Sequence, residues 1–257
     1  MPSWLVARIT FLETLRRKDF YVLLILMGLY ALVAVVLLQE SPQENEAVRR
    51  TLFSLGLSFS FASAVILVVV LAARQVPKEI EQGTILPLLA RPISRWQFLF
   101  GKFLACWLAG VISLLCFMIL IRVLVPAPAR FSELLFAQTI VLKAAGLAAL
   151  AAMTLMFSLF MPETLNVTLS LAYYFLWGIV FNIIEAGLNL IGGVAAWVLA
   201  YFFWTLPHFE VLNISRLCMA QSAPLGWVPA ILLLIYAGAY VTIALTVAHN
   251  LFEKRWV

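Results

Sequence analysis

Long uncharged apolar runs most constrain the fold of this chain. Residues 52–73 and 103–121 contain no Asp, Glu, Lys or Arg, and a much more polar segment separates them. A helix of about 20 residues crosses the roughly 30 Å hydrocarbon core of a bilayer, so runs of this length predict membrane spans. Because backbone amides in lipid must be hydrogen-bonded within the protein, we expect the spans to be helices. Evenly apolar runs, without alternation, argue against a β-barrel.

The composition excludes an ordinary soluble domain. Hydrophobic residues make up 65% of the 257 residues and charged residues only 11%, whereas about 25% of the residues in soluble domains are charged. We therefore predict an all-α polytopic membrane protein that forms a single transmembrane domain over residues 1–257. Cys106 and Cys116 lie in one apolar run, where cysteine behaves as a small hydrophobe.

Six spans are predicted, preceded by an interfacial helix. In residues 2–18, polar and apolar side chains fall on opposite faces of a helix, which is typical of an amphipathic helix lying on the membrane surface. Residues 185–226 contain a Gly-Gly pair and are predicted to form a re-entrant or broken hairpin on the outer side, between spans five and six. Ser132 is predicted to cap the fourth span. The spans are expected near residues 20–38, 52–73, 99–123, 133–160, 165–184 and 228–251.

The distribution of basic residues predicts the orientation. With a cytoplasmic N-terminus, eleven of the 17 Lys and Arg residues lie in inner segments and five in outer segments, while Lys143 lies within a span. This bias agrees with the positive-inside rule if both termini are cytoplasmic. An even number of crossings is then required, and residues 186–206 should not cross fully. The alternative is seven spans, which would place Lys254 and Arg255 on the wrong side.

The sequence carries no nucleotide-binding or catalytic motif of the familiar types. It has no GxxxxGK[ST] phosphate-binding loop, and no HExxH or GxSxG motif. His208 and His249 lie far apart in the sequence and lack nearby carboxylate pairs. We therefore expect no enzyme activity, no metal site and no cofactor bound by this chain. An energy-using membrane protein without its own nucleotide site must draw on an ion gradient or on a partner.

The polar residues 74–98 are predicted to form a cytoplasmic loop between two spans. Residues 79–82 can start a short helix, because acidic side chains are favourable near a helix N-terminus. Three apolar residues then recur at i, i+3 and i+4 and form a ridge. A partner that grips this amphipathic helix would move both flanking spans together; the alternative is a surface loop whose leucines rest on the bilayer. The ridge consists of Ile85, Leu88 and Leu89.

The loop resembles the signature that follows the second span of type-2 ABC exporter permeases, a group that includes polysaccharide, drug, sodium and copper-maturation permeases. The basic N-terminal helix and the six predicted spans extend the resemblance over essentially the whole chain. The matching loop residues are Glu81-x-Gly83-Thr84, Leu88-Leu89, Pro92-x-Ser94-Arg95 and Gly101-Lys102. Further matches are Leu206-Pro207-x-Phe209-Glu210-x-Leu212-Asn213 and the basic ending Phe252-Glu253-Lys254-Arg255.

The resemblance implies the membrane subunit of an ATP-driven exporter in a bacterial inner membrane. Two permease chains, expected as a homodimer, would form the pathway, and two separate cytoplasmic ABC ATPase subunits would use ATP and Mg²⁺. An extracytoplasmic accessory protein fits this picture, and nucleic acid does not. Pro77, just before the loop helix, and Pro87, within its ridge, would shorten it. The implied coupling interface consists of Glu79, Glu81, Thr84, Ile85, Leu88, Leu89, Arg91 and Arg95, with Arg16 and Arg17 as a second contact.

Three polar residues are candidates for a substrate path. Lys143 lies about ten residues inside the fourth span, where charged side chains are costly and often functional. In the alternative, structural role, its ammonium would snorkel towards the outer surface or pair with Glu185 or Glu133. Asn182 and Glu185 would place further polar groups at the outer mouth; the alternative is that they form an ordinary interface between helices.

Two rival function classes stay open on the sequence alone. An ion-coupled secondary carrier would need ionisable residues at mid-membrane in more than one span, and Lys143 is the single candidate that the sequence offers. A non-transporting membrane scaffold or assembly factor would also be served by an ATPase-docking loop. The sequence does not identify the cargo.

Overall fold

The computed structural model describes residues 19–40, 45–81, 95–126, 132–176, 208–214 and 224–255. All the regular structure within these ranges is helical, which confirms the predicted all-α fold for this part of the chain. The α-helices are α1 (Asp19–Glu40), α2 (Glu46–Glu81), α3 (Arg95–Leu124), α4 (Glu133–Phe157), α5 (residues 163–176 in its described part) and α6 (Trp227–Arg255). A 3-10 helix covers Phe209–Leu212.

Four helices in the described ranges are long and apolar enough to cross a membrane, so the chain is a multi-pass membrane protein. They are Glu46–Pro77 of α2, Arg95–Leu124, Glu133–Phe157 and Trp227–Glu253 of α6, while the apolar part of α1, Leu23–Gln39, is shorter. The predicted interfacial helix of residues 2–18 and most of the predicted re-entrant region, 185–226, lie outside the described residues. The count of six spans stays a prediction.

Two helix boundaries follow local signals in the sequence. Ser132 caps α4, because its hydroxyl oxygen accepts a hydrogen bond from the N–H of Leu135 at 3.3 Å. Helix α3 ends at Leu124, shortly before Pro126, whose ring and missing N–H are incompatible with continuing a helix.

Helix α2 is longer at both ends than predicted. At its start, Glu46 favours the first turn of a helix and pairs with Arg50 one turn later at 3.1 Å, so residues 46–50, which lie between the first two predicted spans, are helical. At its end, the prediction that Glu79 begins a separate short helix is wrong. Residues 79–81 are the last residues of α2, and Pro77 lies inside this helix rather than before a new one.

The helices alternate in direction, so the described chain starts and ends at the same end of the bundle. Near the end of α2, Arg74 pairs with Glu163 at the start of α5. At the start of α3, Arg95 contacts the backbone carbonyl of Glu253, which lies in the last turn of α6. We call this end the loop end, because residues 82–94 connect α2 to α3 there, and we call the opposite end the far end.

Contacts at the far end complete this topology. Arg122 at the end of α3 pairs with Glu133 at the start of α4. The Gln138 side-chain amide binds both backbone groups of Leu225, just before α6. Its Nε2 donates to the Leu225 carbonyl at 2.8 Å, and the Leu225 N–H donates to its Oε1 at 3.0 Å. Since α6 starts beside these groups and ends at the loop end, it crosses the bundle.

The centre of the bundle is formed by α2, α3 and α4, while α6 lies at its edge. In the most apolar stretch of each helix, 67% of the residues of α2 but only 11% of those of α6 are buried within the chain. Helices α2 and α3 approach closely at Gly110, where an added Cβ would lie 2.1 Å from Val68 Cγ2. Small residues permit this kind of contact between membrane helices, and α2 and α3 therefore form a tightly packed pair.

Candidate coupling site

A buried cation joins the last turns of α2 to the start of α3. Lys102 is only 4% exposed, and its Nζ donates a hydrogen bond to Oε1 of the buried Gln75 at 3.0 Å. The same ammonium lies 5.2 Å from the centroid of the Phe98 ring. A buried ammonium is costly unless it is hydrogen-bonded, so its contacts with Gln75 and Phe98 favour one arrangement of the two helices.

A second contact joins α2 to α5. Arg74 Nε donates to a carboxylate oxygen of Glu163 at 2.5 Å, and both side chains are about two-fifths exposed. Ion pairs with this exposure contribute little to stability. The Arg74–Glu163 pair is therefore informative about geometry rather than stability, because it shows that the start of α5 lies beside the end of α2.

The start of α3 is packed against the last turns of α6. The Phe98 and Phe252 rings stack with centroids 6.0 Å apart, and Trp96 meets the His249 ring edge-on at 5.5 Å. Both phenylalanines are buried, so an apolar contact holds α6 against α3 at this end. Arg95 Nη1 adds a long hydrogen bond of 3.4 Å to the Glu253 carbonyl.

Both helix ends that flank residues 82–94 are thus attached to other helices. The end of α2 contacts α3 through Gln75 and α5 through Arg74, and the start of α3 contacts α6 through Phe98. A displacement of the connecting segment would therefore act on four helices at once, namely α2, α3, α5 and α6. This is the geometry that a coupling site requires.

The described residues include only part of the predicted interface. Glu79 and Glu81 belong to the end of α2, and Arg95 is the first residue of α3, so these three lie at the two helix ends that flank the segment. Their proposed role stays a prediction. The rest of the interface, consisting of Thr84, Ile85, Leu88, Leu89, Arg91, Arg16 and Arg17, lies outside the described residues.

The pairings that attach the helix ends to one another were not predicted from the sequence, although Arg95, Lys102 and Glu253 lie in the motifs named above. Lys102 carried a visible signal, as a cation at the edge of an apolar run. Its partner did not, because Gln75 lies 27 positions away. Glu163 lies 89 positions from Arg74, and Glu253 lies 158 positions from Arg95. Only the packing of the helices brings these groups together.

Lys143 is buried rather than snorkelling. Its side chain is 1% exposed, and its Nζ donates to the Leu57 carbonyl of α2 at 3.0 Å. The ammonium also lies 4.9 Å from the centroid of the Phe61 ring. The predicted pairing with Glu133 is wrong, because that carboxylate pairs with Arg122 at the far end of the bundle.

The substrate path proposed from the sequence stays a prediction. Asn182 and Glu185 lie outside the described residues, so the outer mouth that they were predicted to line is not described, and neither is a pairing of Glu185 with Lys143. Lys143 itself joins α4 to α2. Within the described ranges, no group of three or more His, Cys, Asp or Glu side chains could hold a metal ion.

Comparison with known families supports the resemblance seen in the sequence. The family model described as ABC-2 family transporter protein matches residues 4–255. No curated protein matches the chain. The family match includes α1 to α6, the connecting segment 82–94 and the attached helix ends on either side of it. The family is one of membrane transport components that associate with an ABC ATPase. The chain belongs to the ABC-2 transporter family.

Proposed function

We propose that this chain is the permease subunit of an ATP-driven exporter. A separate cytoplasmic ATPase subunit would hydrolyse ATP with Mg²⁺, and the permease would convert that hydrolysis into movement of a substrate. One observation carries the proposal: both helix ends that flank residues 82–94 are attached to neighbouring helices, through Lys102 and Gln75, Arg74 and Glu163, and Phe98 and Phe252. Membership of the ABC-2 family supports the same conclusion.

In this proposal, helix α2 carries movement from the ATPase subunit into the membrane. Its 36 residues extend about 54 Å at 1.5 Å per residue, which exceeds the roughly 30 Å core of a bilayer. Residues 74–81 continue the helix about 12 Å beyond its last long apolar run. A cytoplasmic partner that binds Glu79, Glu81 and the ridge of residues 85–89 would therefore act on a helical extension of a spanning helix.

We extend the proposal to the orientation and the assembly. The described chain begins and ends at the loop end, and six of the ten Lys and Arg residues in the described ranges lie towards this end. This bias supports cytoplasmic termini in a bacterial inner membrane. Two permease chains and two ATPase subunits would form the exporter, and an extracytoplasmic accessory protein would fit at the far end. The exposed apolar face of α6 is available to lipid or to the second chain.

Site-specific photocross-linking in membranes of cells that express the chain tests the coupling interface. A photoreactive benzoylphenylalanine replaces Leu88, and the adducts formed under ultraviolet light are identified by mass spectrometry. We expect an adduct with an ABC ATPase. The matched control carries the same group at Val228, an exposed apolar position at the far end of α6. ATPase adducts at both positions, or at neither, would contradict the assignment.

Energy dependence separates this function from its rivals. In the exporter, Glu81→Lys and Leu88→Asp should uncouple ATP hydrolysis from transport without impairing membrane insertion. Transport that survives ATP depletion but stops with an uncoupler would favour an ion-coupled carrier. A purified complex that hydrolyses ATP but moves nothing across vesicles would favour a scaffold.

A further inference from the structure

A buried segment without α-helical structure lies near the middle of the bundle. We call residues 208–214 the mid-depth segment; its only regular structure is the 3-10 helix Phe209–Leu212. Leu212 is only 2% exposed, while the neighbouring Val211 is 51% exposed. The segment therefore has a buried face and an exposed face within a single helical turn.

Three helices independently fix the depth of this segment. Leu212 packs on Gly146, which lies 13 residues after the start of α4 and 11 residues before its end, about 20 Å and 17 Å along the axis. The N–H of His208 donates to Tyr236 Oη at 2.9 Å, about 14 Å from the start of α6. On α5, Tyr174 contacts Phe209 about 17 Å from residue 163.

Backbone that is not α-helical is informative at this depth. Within a membrane, irregular backbone is tolerated only where protein covers it or where it lines a water-filled cavity. In transporters, irregular backbone at mid-depth is characteristic of the substrate pathway. Here α4, α5 and α6 cover the segment through Gly146, Tyr174 and Tyr236, so the space between these helices is filled by the segment itself.

A continuous set of contacts connects the segment to α2. Phe209 lies 6.0 Å from the ring of Tyr174, which in turn meets Phe61 of α2 edge-on at 5.7 Å. Lys143 lies 4.9 Å from the same Phe61 ring and binds the α2 backbone at Leu57. Phe61 is about 20 Å along α2 from the loop end at residue 74. Movement of α2 would therefore reach the segment through Tyr174 of α5.

We propose that residues 208–214 form a barrier across the transport pathway at mid-depth, and that Lys143 and Phe61 are positioning residues that hold this barrier closed against α2. The inference rests on the proposed function, since it assigns the opening step to ATP-driven movement of α2. Withdrawal of Phe61 from Tyr174 would remove the support behind Phe209 and expose the buried face of the segment to water.

Cysteine accessibility tests the barrier in native membranes that contain the whole complex. Cys106, Cys116 and Cys218 are first replaced by alanine, and Leu212→Cys is introduced. Ile214→Cys, also at a buried position of the segment, serves as a second probe in case the first variant folds poorly. The matched control is Val211→Cys, the adjacent exposed position. The reagent is a small, water-soluble methanethiosulfonate.

The expected result is a change in labelling that depends on turnover. Because the labelling rate of a buried group follows the population of its open state, MgATP should accelerate labelling of the Leu212→Cys variant by about tenfold or more. Labelling of the Val211→Cys control should change much less. Phosphate release is measured in the same membranes. Turnover without faster labelling of either buried probe would overturn the barrier alone, whereas absence of turnover would overturn the proposed function and the barrier with it.

The positioning residues are tested in the Leu212→Cys background without ATP. Phe61→Ala or Lys143→Met should raise the resting labelling rate towards the rate seen during turnover, while Lys143→Arg, which keeps the charge and the donors, should preserve slow labelling. A general loss of structure would also accelerate labelling of the Gly238→Cys variant, at an exposed position of α6. An unchanged labelling rate in that variant therefore shows that the effect is confined to the segment. If the resting labelling rate at position 212 stays unchanged in both variants, Lys143 and Phe61 do not hold the barrier closed.

Discussion

The close approach of α2 and α3 gives a sharp prediction at Gly110. An alanine Cβ at this position would lie 2.1 Å from Val68 Cγ2, a distance that forces one of the two helices or the Val68 side chain to move. Valine cannot simply swing aside, since its branched side chain has few accessible rotamers in a helix. Gly110→Ala therefore tests whether the packing of α2 and α3 is as tight as the structure shows.

The expected magnitude follows from two opposing effects. Overpacking a core by a methyl group typically costs about 1–3 kcal/mol. Glycine to alanine within a helix gains about 0.8–1.0 kcal/mol of helix propensity. Gly110→Ala should thus be destabilising by up to about 2 kcal/mol. Gly238→Ala on α6 is the matched control, because an added Cβ there meets nothing within 4 Å, and it should be neutral or slightly stabilising.

The measurement is thermal unfolding of the purified chain in detergent, with tryptophan fluorescence as the readout and all variants in the same micelle. A double-mutant cycle with Val68→Ala tests whether the effect arises from the contact between positions 110 and 68. Removing Cγ2 should relieve the overpacking, with a coupling energy between the two positions of roughly 0.5–3 kcal/mol. If the Gly110→Ala and Gly238→Ala variants unfold at the same temperature, and Gly110→Ala shows no coupling to Val68→Ala, the close approach of α2 and α3 is wrong.

Three further predictions concern hydrogen bonds at the two ends of the bundle. Gln75→Leu should destabilise the chain by about 1–3 kcal/mol, because it removes an acceptor from the buried Lys102 ammonium. The double variant Gln75→Leu with Lys102→Met should recover much of this loss in the same thermal assay. Gln138→Leu leaves the N–H and C=O of Leu225 without this amide, so hydrogen exchange at the Leu225 amide should accelerate while exchange in the centre of α3 does not. Ser132→Ala should cost about 1 kcal/mol through loss of the α4 cap, whereas Ser132→Asp should retain most of the stability; equal stability of all three proteins would exclude a capping role.

Much of the fold followed from residue patterns that act locally. Uninterrupted apolar runs specified α3 and α6, and Ser132 specified the start of α4, because these signals depend on neighbours in the chain. The extension of α2 through Pro77 was not predictable from such signals. A proline normally destabilises the interior of a helix. Here Arg74 and Gln75, just before Pro77, make tertiary contacts with α5 and α3.

The candidate site could be predicted only in part, because its contacts join residues that are distant in the sequence. Motif residues in 79–95 indicated where a partner would act, but two of the groups that attach the flanking helix ends, Glu163 on α5 and Phe252 on α6, lie far away in the sequence. Lys143 shows the same limit. Its presence in a span was obvious, yet its partner is a backbone carbonyl on α2, which has no signature in the sequence. The mid-depth segment likewise became visible only once Leu212 was found against Gly146.

The depth of Lys143 also places a charge inside the electric field of the membrane. Moving one elementary charge through the full field is worth about 2.3 kcal/mol per 100 mV, so a shift of the ammonium through a tenth of the field changes an equilibrium by roughly 0.2 kcal/mol per 100 mV. The bond to the Leu57 carbonyl and the Phe61 ring hold this charge at one depth in the described arrangement. Any step that moves α4 relative to α2 would carry the charge along, so the membrane potential would bias the conformational cycle whatever source of energy powers it.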